Sequence, residues 1–522
     1  MTSFAHDFRT IAGNRLNGSQ RTQSAVRTLL KAGIQVSPDA LSYLALQPDP
    51  IQTASQTLEE LDRRKLKPLI ITRSLLEEVS PSGAKQHFKI ISPGDLGDDN
   101  HVDDRKIVAS IEVLSPLYEN SASEGKLENF VAHFRDTYDK LRKLFKARKD
   151  AAEAITVEQA LRAQKENKIK IIGMATTKRE TNKGSIIIEI EDPTGTISAI
   201  ISTKDDRLHG KASRILLDQV VCLEGALRSE KTLSVRDITW ADVPYDYKPN
   251  YAKEPAYAVL ISDIHYGSSK FLKNEFEQFI GWLRGEGPTD EAVHVARKVK
   301  YLIIAGDLVD GIGVYPGQEN ELEVKDIYAQ YQQLAEYLRR VPPEMQIIAI
   351  PGNHDATRLS LPQPPIPEKY VSPITKSCFN FCMLGNPAFV RIHGVGTLIY
   401  HGKIIDNMLS TLPEISEKTV NQALHELIRC RHIAPTWDPD NPITPTNEDL
   451  LVMEKIPDIL HMGHIHINAV SQYRNILTVN SGTFQSQTSY QKSMGVKPTP
   501  GIVEVVNLMT LKPAQIQFSN GA

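Results

Sequence analysis

Four short histidine- and aspartate-bearing stretches close four apolar runs in the second half of the chain: SDIH (262–265), GDLVD (306–310), GNHD (352–355) and GHIH (463–466). A fifth, YHG (400–402), lies between the last two. Together Asp263, His265, Asp307, Asn353, His401, His464 and His466 offer the donor set of a centre for two divalent cations. Two such cations roughly 3.5–4 Å apart polarise one phosphoryl group and turn a water into a nucleophile near neutral pH. The pair needs a bridging carboxylate and neutral imidazoles. Mixed Asp, Asn and His donors without a thiolate favour Mn2+, with Mg2+ or another divalent ion as the alternative. The chemistry implied is hydrolysis of a phosphate ester. GNHD or GDLVD alone is equally a glycine turn after a strand; the occurrence of all five in this order points to a site. The other ten of the fifteen histidines are given no role.

Elements must deliver these groups to one place. AVLIS (258–262), YLIIA (301–305), QIIAI (346–350) and TLIY (397–400) read as short buried strands. The ligands follow them, at the carboxyl ends where open α/β sheets collect their sites. NEFEQFIGWLR (274–284) fills the gap between the first two motifs. In the next gap Ile327, Tyr331, Leu334, Leu338 and Val341 recur at steps of four and three, an amphipathic helix. The alternation predicts a layered α/β domain over 251–522.

The order Asp263-x-His265, Gly306-Asp307, Gly352-Asn353-His354-Asp355, His401-Gly402, Gly463-His464-x-His466 resembles the calcineurin-like phosphoesterase signature. That resemblance implies one metal on Asp263, His265 and His466, another on Asn353, His401 and His464, and Asp307 as the bridge. It makes His354 the general acid, oriented by Asp310 or Asp355, and an imidazole near its ordinary pKa of about 6.5 suits the task. A supporting hydrogen-bond role for His354 stays open. KIIDNML follows His401-Gly402 where a more polar stretch is expected, which leaves His401 the least secure ligand.

At 522 residues, with 41% hydrophobic and 24% charged, the chain reads as two or three globular domains. A net charge of −3 lacks the basic excess of a protein that grips DNA alone, so a strong grip is expected from a partner or a local patch. MTSFAHDFRT has no apolar signal core, and no run approaches the ~20 residues of a membrane helix. Cys222, Cys378, Cys382 and Cys430 form no CxxC pair and read as reduced thiols of a cytoplasmic protein, the middle two sharing a helix face. SAVRTLLKAG (24–33) and SPDALSYLAL (37–46) predict an N-terminal helix pair over 1–46. The stretch 47–120, with ISPGDLGDDNHVDD (91–104), reads as a flexible linker. A helical connector over 121–160 presents Phe130, Phe134, Tyr138, Leu141 and Phe145 on one face. From Lys168 the period changes to two: KIKIIGMATT, SIIIEIED, ISAIISTK, VVCLEGALRS and LSVRDITWAD suggest a small OB-type barrel over 161–250. Trp240 is its sole aromatic between Lys168 and Asp242, which favours protein docking over stacking on single strands.

A barrel of this kind directly before a phosphoesterase domain resembles the small, or B, subunits of replicative DNA polymerases. GDLVDGIGVYPGQE (306–319), after DIHYGS (263–268) and before PGNHDA (351–356), is similar in particular to the archaeal family D branch. The resemblance spans roughly 160–522 and, less specifically, SPDAL and the Phe130 helix. It implies a proofreading subunit, nucleoid-associated, that degrades single-stranded or mispaired DNA from 3′ to 5′ while a separate large subunit polymerises. The eukaryotic relatives have lost metal ligands, whereas all seven positions are filled here, which implies a catalytic site. Tyr266, Tyr315 and Gln318 lie beside the ligands and either orient the nucleic acid or brace the loops; Phe484, after GHIH, reads as packing. A stand-alone repair nuclease or phosphodiesterase and a non-catalytic scaffold subunit remain the alternatives.

Overall fold

Unbroken runs of aliphatic residues form strands buried on both faces, as parallel sheets require. The computed structural model describes residues 18–45, 50–63, 68, 70–72, 75–76, 89–92, 107–115, 118, 122–164 and 167–518, and the chain divides into two compact units, Met1–His87 and Phe88–Ala522.

Two sheets carry the candidate ligands in the second unit. The first has seven strands in the order Phe381–Met383, Gln346–Ile350, Val299–Ala305, Tyr257–Ile261, Ile502–Asn507, Lys512–Gln517 and Lys89–Ser92. Its first four strands are parallel, with Leu302 beside both Val259 and Ile347. The second has six, in the order Ala469–Tyr473, Ile476–Asn480, Ile459–Met462, Val395–Ile399, Ala388–Ile392 and Ile111–Val113. Alternate side chains of the two sheets, among them Leu260, Ile303, Ile348, Ile399, Ile459 and Val479, meet in one buried layer. The opposite face of the first sheet packs Val259, Leu302 and Ile347 under the helices Lys273–Leu283 and Ile327–Leu338. Leu398, Leu460 and Met462 of the second pack under Ile404–Thr411 and Val420–Cys430. The result is the layered α/β arrangement expected, helices outside and sheets within.

Five strands close a barrel in the order Lys168–Glu180, Ile186–Asp192, Gly195–Ile201, Thr232–Thr239, Val220–Ser229. Ile171, Ile188, Ile190, Ala199, Leu223 and Leu233 fill it, and Trp240 is buried with them. A helix absent from the sequence reading, Asp206–Ser213, follows the third strand; Asp205 caps it by accepting from the Leu208 N–H at 2.9 Å. The helix Leu127–Lys146 covers only part of the connector expected over 121–160 and buries Tyr138, Leu141 and Phe145.

The linker expectation over 47–120 is wrong for its described residues. Pro50–Arg63 is a helix whose Ala54, Leu58 and Leu61 recur every three or four positions among Gln and Thr, which disguised the stripe. With Gly18–Lys31 and Pro38–Ala45 it forms a three-helix cluster where a pair was expected. Lys89–Ser92 and Ile111–Val113 are edge strands, short enough to leave little pattern in sequence, and 93–106 lie outside the described residues, as does MTSFAHDFRT. Cys378 ends the helix Glu368–Ser377 and Cys382 sits in the strand after it, so they share no helix face. Among the described residues no helix is long and apolar enough to cross a membrane.

Candidate metal centre

Three parallel strands of the first sheet and two of the second end at the five motifs, so the seven candidate positions lie at strand ends of two sheets. The backbone there is unusual. Asp263, His265, Asp307, His464 and His466 have φ of 53°, 50°, 51°, 74° and 60°, a region that costs a side-chain-bearing residue about 1–3 kcal/mol. Cross-loop hydrogen bonds hold it: Asp263 N–H donates to Gly306 O at 3.0 Å, His265 N–H to Asp307 O at 3.1 Å, and Gly463 N–H to His401 O at 2.9 Å. Gly352 is required by contact, since a Cβ there would stand 2.1 Å from Asp307 Oδ1.

Asp263 Oδ1 is buried without a hydrogen-bond donor, yet it lies 3.4 Å from His466 Nε2 and 3.7 Å from His265 Nε2. Those two nitrogens are 2.9 Å apart. An unpartnered carboxylate oxygen facing two imidazoles is what a cation would satisfy. Asp307 Oδ2 stands between this group and a second one, 3.6 Å from His265 Nε2 and 3.3 Å from His401 Nε2. His401 Nε2 is 2.9 Å from Asn353 Oδ1, and His401 Nδ1 is 2.8 Å from the Ala305 carbonyl oxygen. That carbonyl can only accept, so Nδ1 carries a proton, and whenever the ring is neutral its Nε2 lone pair faces inward. His401, doubtful from sequence, is thus fully buried within the centre. His464 stands apart: its Nε2 is 2.8 Å from Asp406 Oδ2 and its ring 5.2 Å from that of His401.

Burial alone would lower the pKa of His265 and His401. Asp263 and Asp310 outweigh it at His265, which is pushed up to about 10, and Asp307 does so at His401, at about 9. The carboxyls of Asp263 and Asp307 sit below their usual range because the surrounding imidazoles overcome their burial. The centre attracts positive charge strongly, and its residues fit divalent cations.

Around it the expected supporting roles divide. Asp310 serves both rings: Oδ1 is 3.0 Å from His265 Nδ1, and its carbonyl oxygen accepts from His354 Nδ1 at 2.7 Å. Asp355 does not orient His354; its carboxylate accepts from Gly352 N–H, Leu308 N–H and the Tyr331 hydroxyl at 2.9, 3.2 and 2.8 Å, clamping two loops. His354 also departs from the ordinary value, since burial pushes its pKa down to about 4. Gln318 is buried and donates to the Asp310 carbonyl at 2.7 Å, a brace; Tyr266 turns to Phe271 and Tyr337 and hydrogen-bonds Gln333, away from the ligands. Phe484 packs on Phe276 and Phe279 as expected. Tyr315 and His354 line a cleft of about 760 Å³ that opens onto the centre.

Residues 258–469 match the family of B subunits of DNA polymerases alpha and epsilon. Over 487 residues, 92% of this chain and 97% of the relative, the chain is 34% identical to the DNA polymerase II small subunit of Methanothermobacter thermautotrophicus. It belongs to the DNA polymerase II small subunit family. The Pyrococcus furiosus DNA polymerase II small subunit is 38% identical over 418 residues, 79% of this chain and 68% of that one. This is the archaeal family D branch that the 306–319 stretch resembled. Among solved structures, an archaeal phosphodiesterase aligns at 12% identity and TM-score 0.26 over 50% of this chain and 98% of its own, and Vps29 from Entamoeba histolytica at 10% and 0.26 over 51% and 94%.

Sequence reasoning on this family member missed three side chains, two that touch candidate ligands and one that holds Asp310. Asp406, the one acid in KIIDNML, meets His464; Gln485 donates to Asp310 Oδ1 at 2.9 Å; the Gln491 amide lies 2.8 Å from His466 Nδ1. Asp406 was legible as the polar residue sought after His401. Gln485 and Gln491 carry no motif.

Proposed function

We propose that this small subunit removes nucleotides from the 3′ end of single-stranded or mispaired DNA by two-metal phosphodiester hydrolysis, as the proofreading partner of a large polymerising subunit in the archaeal cytoplasm, at the nucleoid. The buried, unpartnered Asp263 Oδ1 facing His265 and His466, with Asp307 shared toward His401, carries the reading. Desolvating that oxygen costs stability that a bound ion would offset. Asp263, His265 and His466 would hold one cation and Asn353, His401 and His464 the other, with Asp307 shared between them. His464 would use Nδ1, its Nε2 being engaged by Asp406. When bound, the cations, Mn2+ in first place, polarise the phosphodiester and acidify water. The layered domain is then of the calcineurin-like phosphoesterase type.

His354 stands as general acid. Its Nδ1–H is committed to the Asp310 carbonyl, which leaves Nε2 to give a proton to the departing 3′ oxygen. Its lowered pKa keeps the ring neutral at pH 7 until an anionic phosphodiester arrives to favour the charged form, when Nε2 takes from solvent the proton that it then passes to the departing oxygen. We read the barrel as an OB fold, supported by its five-strand order and the helix between its third and fourth strands. With Trp240 buried it offers docking surface instead of aromatic stacking, and DNA is gripped mainly by the large subunit.

The test is Mn2+-dependent release of 3′ nucleotides from single-stranded DNA by the chain assembled with its large partner. Wild type is expected to release them and His354→Ala to be slower by about 100-fold or more. Equal rates would remove His354 from the chemistry, and no release by the wild-type assembly would overturn the nuclease reading.

A further inference from the structure

One wall of the cleft is apolar and exposed beside a site built for charge. Tyr490 and Met494 lie one turn apart on the helix Ser489–Met494, 48% and 63% exposed, and both line the cleft with Val314. The Tyr490 ring stacks on Tyr315, centroids 5.5 Å apart at 30°, and Tyr315 stands 6.1 Å from the His354 ring. The pair is braced. Glu321 accepts from the Tyr315 hydroxyl at 3.2 Å and from the Ser489 N–H and hydroxyl at 3.1 and 2.8 Å, while Gln491, which follows Tyr490, reaches His466. The cleft is also lined by Asp406, Glu417, Asp438 and Asp440, with Lys403 the one cation among its lining side chains apart from the histidines. A sugar-phosphate chain is repelled by such acids, whereas a neutral planar ring is drawn to an exposed aromatic face.

We propose that Tyr490, backed by Tyr315 and flanked by Met494, is a stacking platform for the nucleobase of the terminal nucleotide whose phosphodiester lies at the metal centre. The proposal rests on the nuclease reading above and adds the part of the substrate that is recognised. Every base has a π-face, so the platform is indifferent to sequence. It is not indifferent to pairing: a base stacked and paired in a duplex must first be unstacked, whereas an unpaired terminal base moves onto Tyr490 at lower cost. The platform thereby turns loss of pairing into a rate preference without reading which mismatch is present.

Two measurements on the assembled full-length protein test it. In the first, Mn2+-dependent release is compared for single-stranded oligonucleotides that end in an ordinary nucleotide or in a 3′ residue lacking its base. Wild type is expected to prefer the base-bearing end by about tenfold, Tyr490→Ala to bring the ratio close to one, and Tyr490→Phe to restore it. The ratio is insensitive to a general loss of activity or of folded protein. In the second, an oligonucleotide ending in 2-aminopurine is bound in EDTA, and its fluorescence is expected to be quenched by wild type and by Tyr490→Phe but not by Tyr490→Ala. Quenching through Tyr490 without any nucleotide release would leave the platform standing and sink the nuclease reading. Release with a wild-type ratio near one, or a ratio and quenching unchanged in Tyr490→Ala, would overturn the platform alone. Absence of both release and quenching would overturn both.

Discussion

Gly352 and Asp307 touch, and the contact decides what either position tolerates. Alanine at 352 would press a carbon 2.1 Å from Asp307 Oδ1 and 2.6 Å from its backbone nitrogen, so the Asp307 carboxylate must move. Gly352→Ala is expected to lower Mn2+ affinity at least tenfold by titration calorimetry, with a loss of about 1–3 kcal/mol in stability and an unchanged far-UV spectrum. Native affinity in this variant would show that the loop yields freely. The residues that meet at the candidate centre were legible, because the proposed two-metal centre demands oxygen and imidazole donors whose spacing survives in sequence as Asp-x-His, Gly-Asp, Asn-His and His-x-His. The supporting shell was not. Gln485, Gln491 and Tyr490 make contacts with segments far away in the chain, and a lone glutamine or tyrosine has no chemistry that marks it beforehand.

The helix Leu127–Lys146 meets a buried carboxylate, Asp449. Asp449 accepts from the Thr137 hydroxyl at 2.6 Å and from His432 Nε2 at 2.8 Å; the Ala434 N–H donates to His432 Nδ1, which leaves the proton on Nε2. Burial would raise the Asp449 pKa, but His432, His133 and Thr137 prevail and hold it well below the usual range. A depressed carboxyl contributes stability that is present above its unfolded pKa, near 3.9, and lost as pH falls through the folded value. Asp449→Asn should therefore cost about 3 kcal/mol at pH 7 by calorimetric melting, and the gap should narrow below about pH 4. A constant gap down to pH 2 would mean the charge is irrelevant. The element itself was legible from one apolar stripe, as were the strands that deliver the ligands, since burial on both faces leaves unbroken aliphatic runs. Pro50–Arg63 and Asp206–Ser213 were missed because their apolar sides are carried by Ala and a few Leu among polar residues, too weak a stripe to separate from a linker or a turn.

Between the two sheets lies a buried carboxyl outside the metal centre. Glu504 accepts from Asn468 and Gln515 at 2.9 and 2.7 Å through one oxygen, the other has no partner, and burial pushes its pKa up to about 7. A raised carboxyl stabilises fully below its unfolded pKa, near 4.3, and the contribution is lost as pH rises through about 7. Glu504→Gln should match wild type at pH 4.5 and melt several degrees higher at pH 8; a wild type at least as stable as the variant at pH 8 would refute the assignment. The same pair of sheets depends on chain that precedes the barrel. Lys89–Ser92 pairs with Lys512–Gln517 at one border and Ile111–Val113 with Ala388–Ile392 at another. Removing residues 1–120 would strip both borders and expose two rows of unpaired amides and carbonyls, each a template for another molecule's strand. A shortened protein that keeps every ligand is thus expected to self-associate, and its loss of activity would report aggregation, not a missing catalytic part.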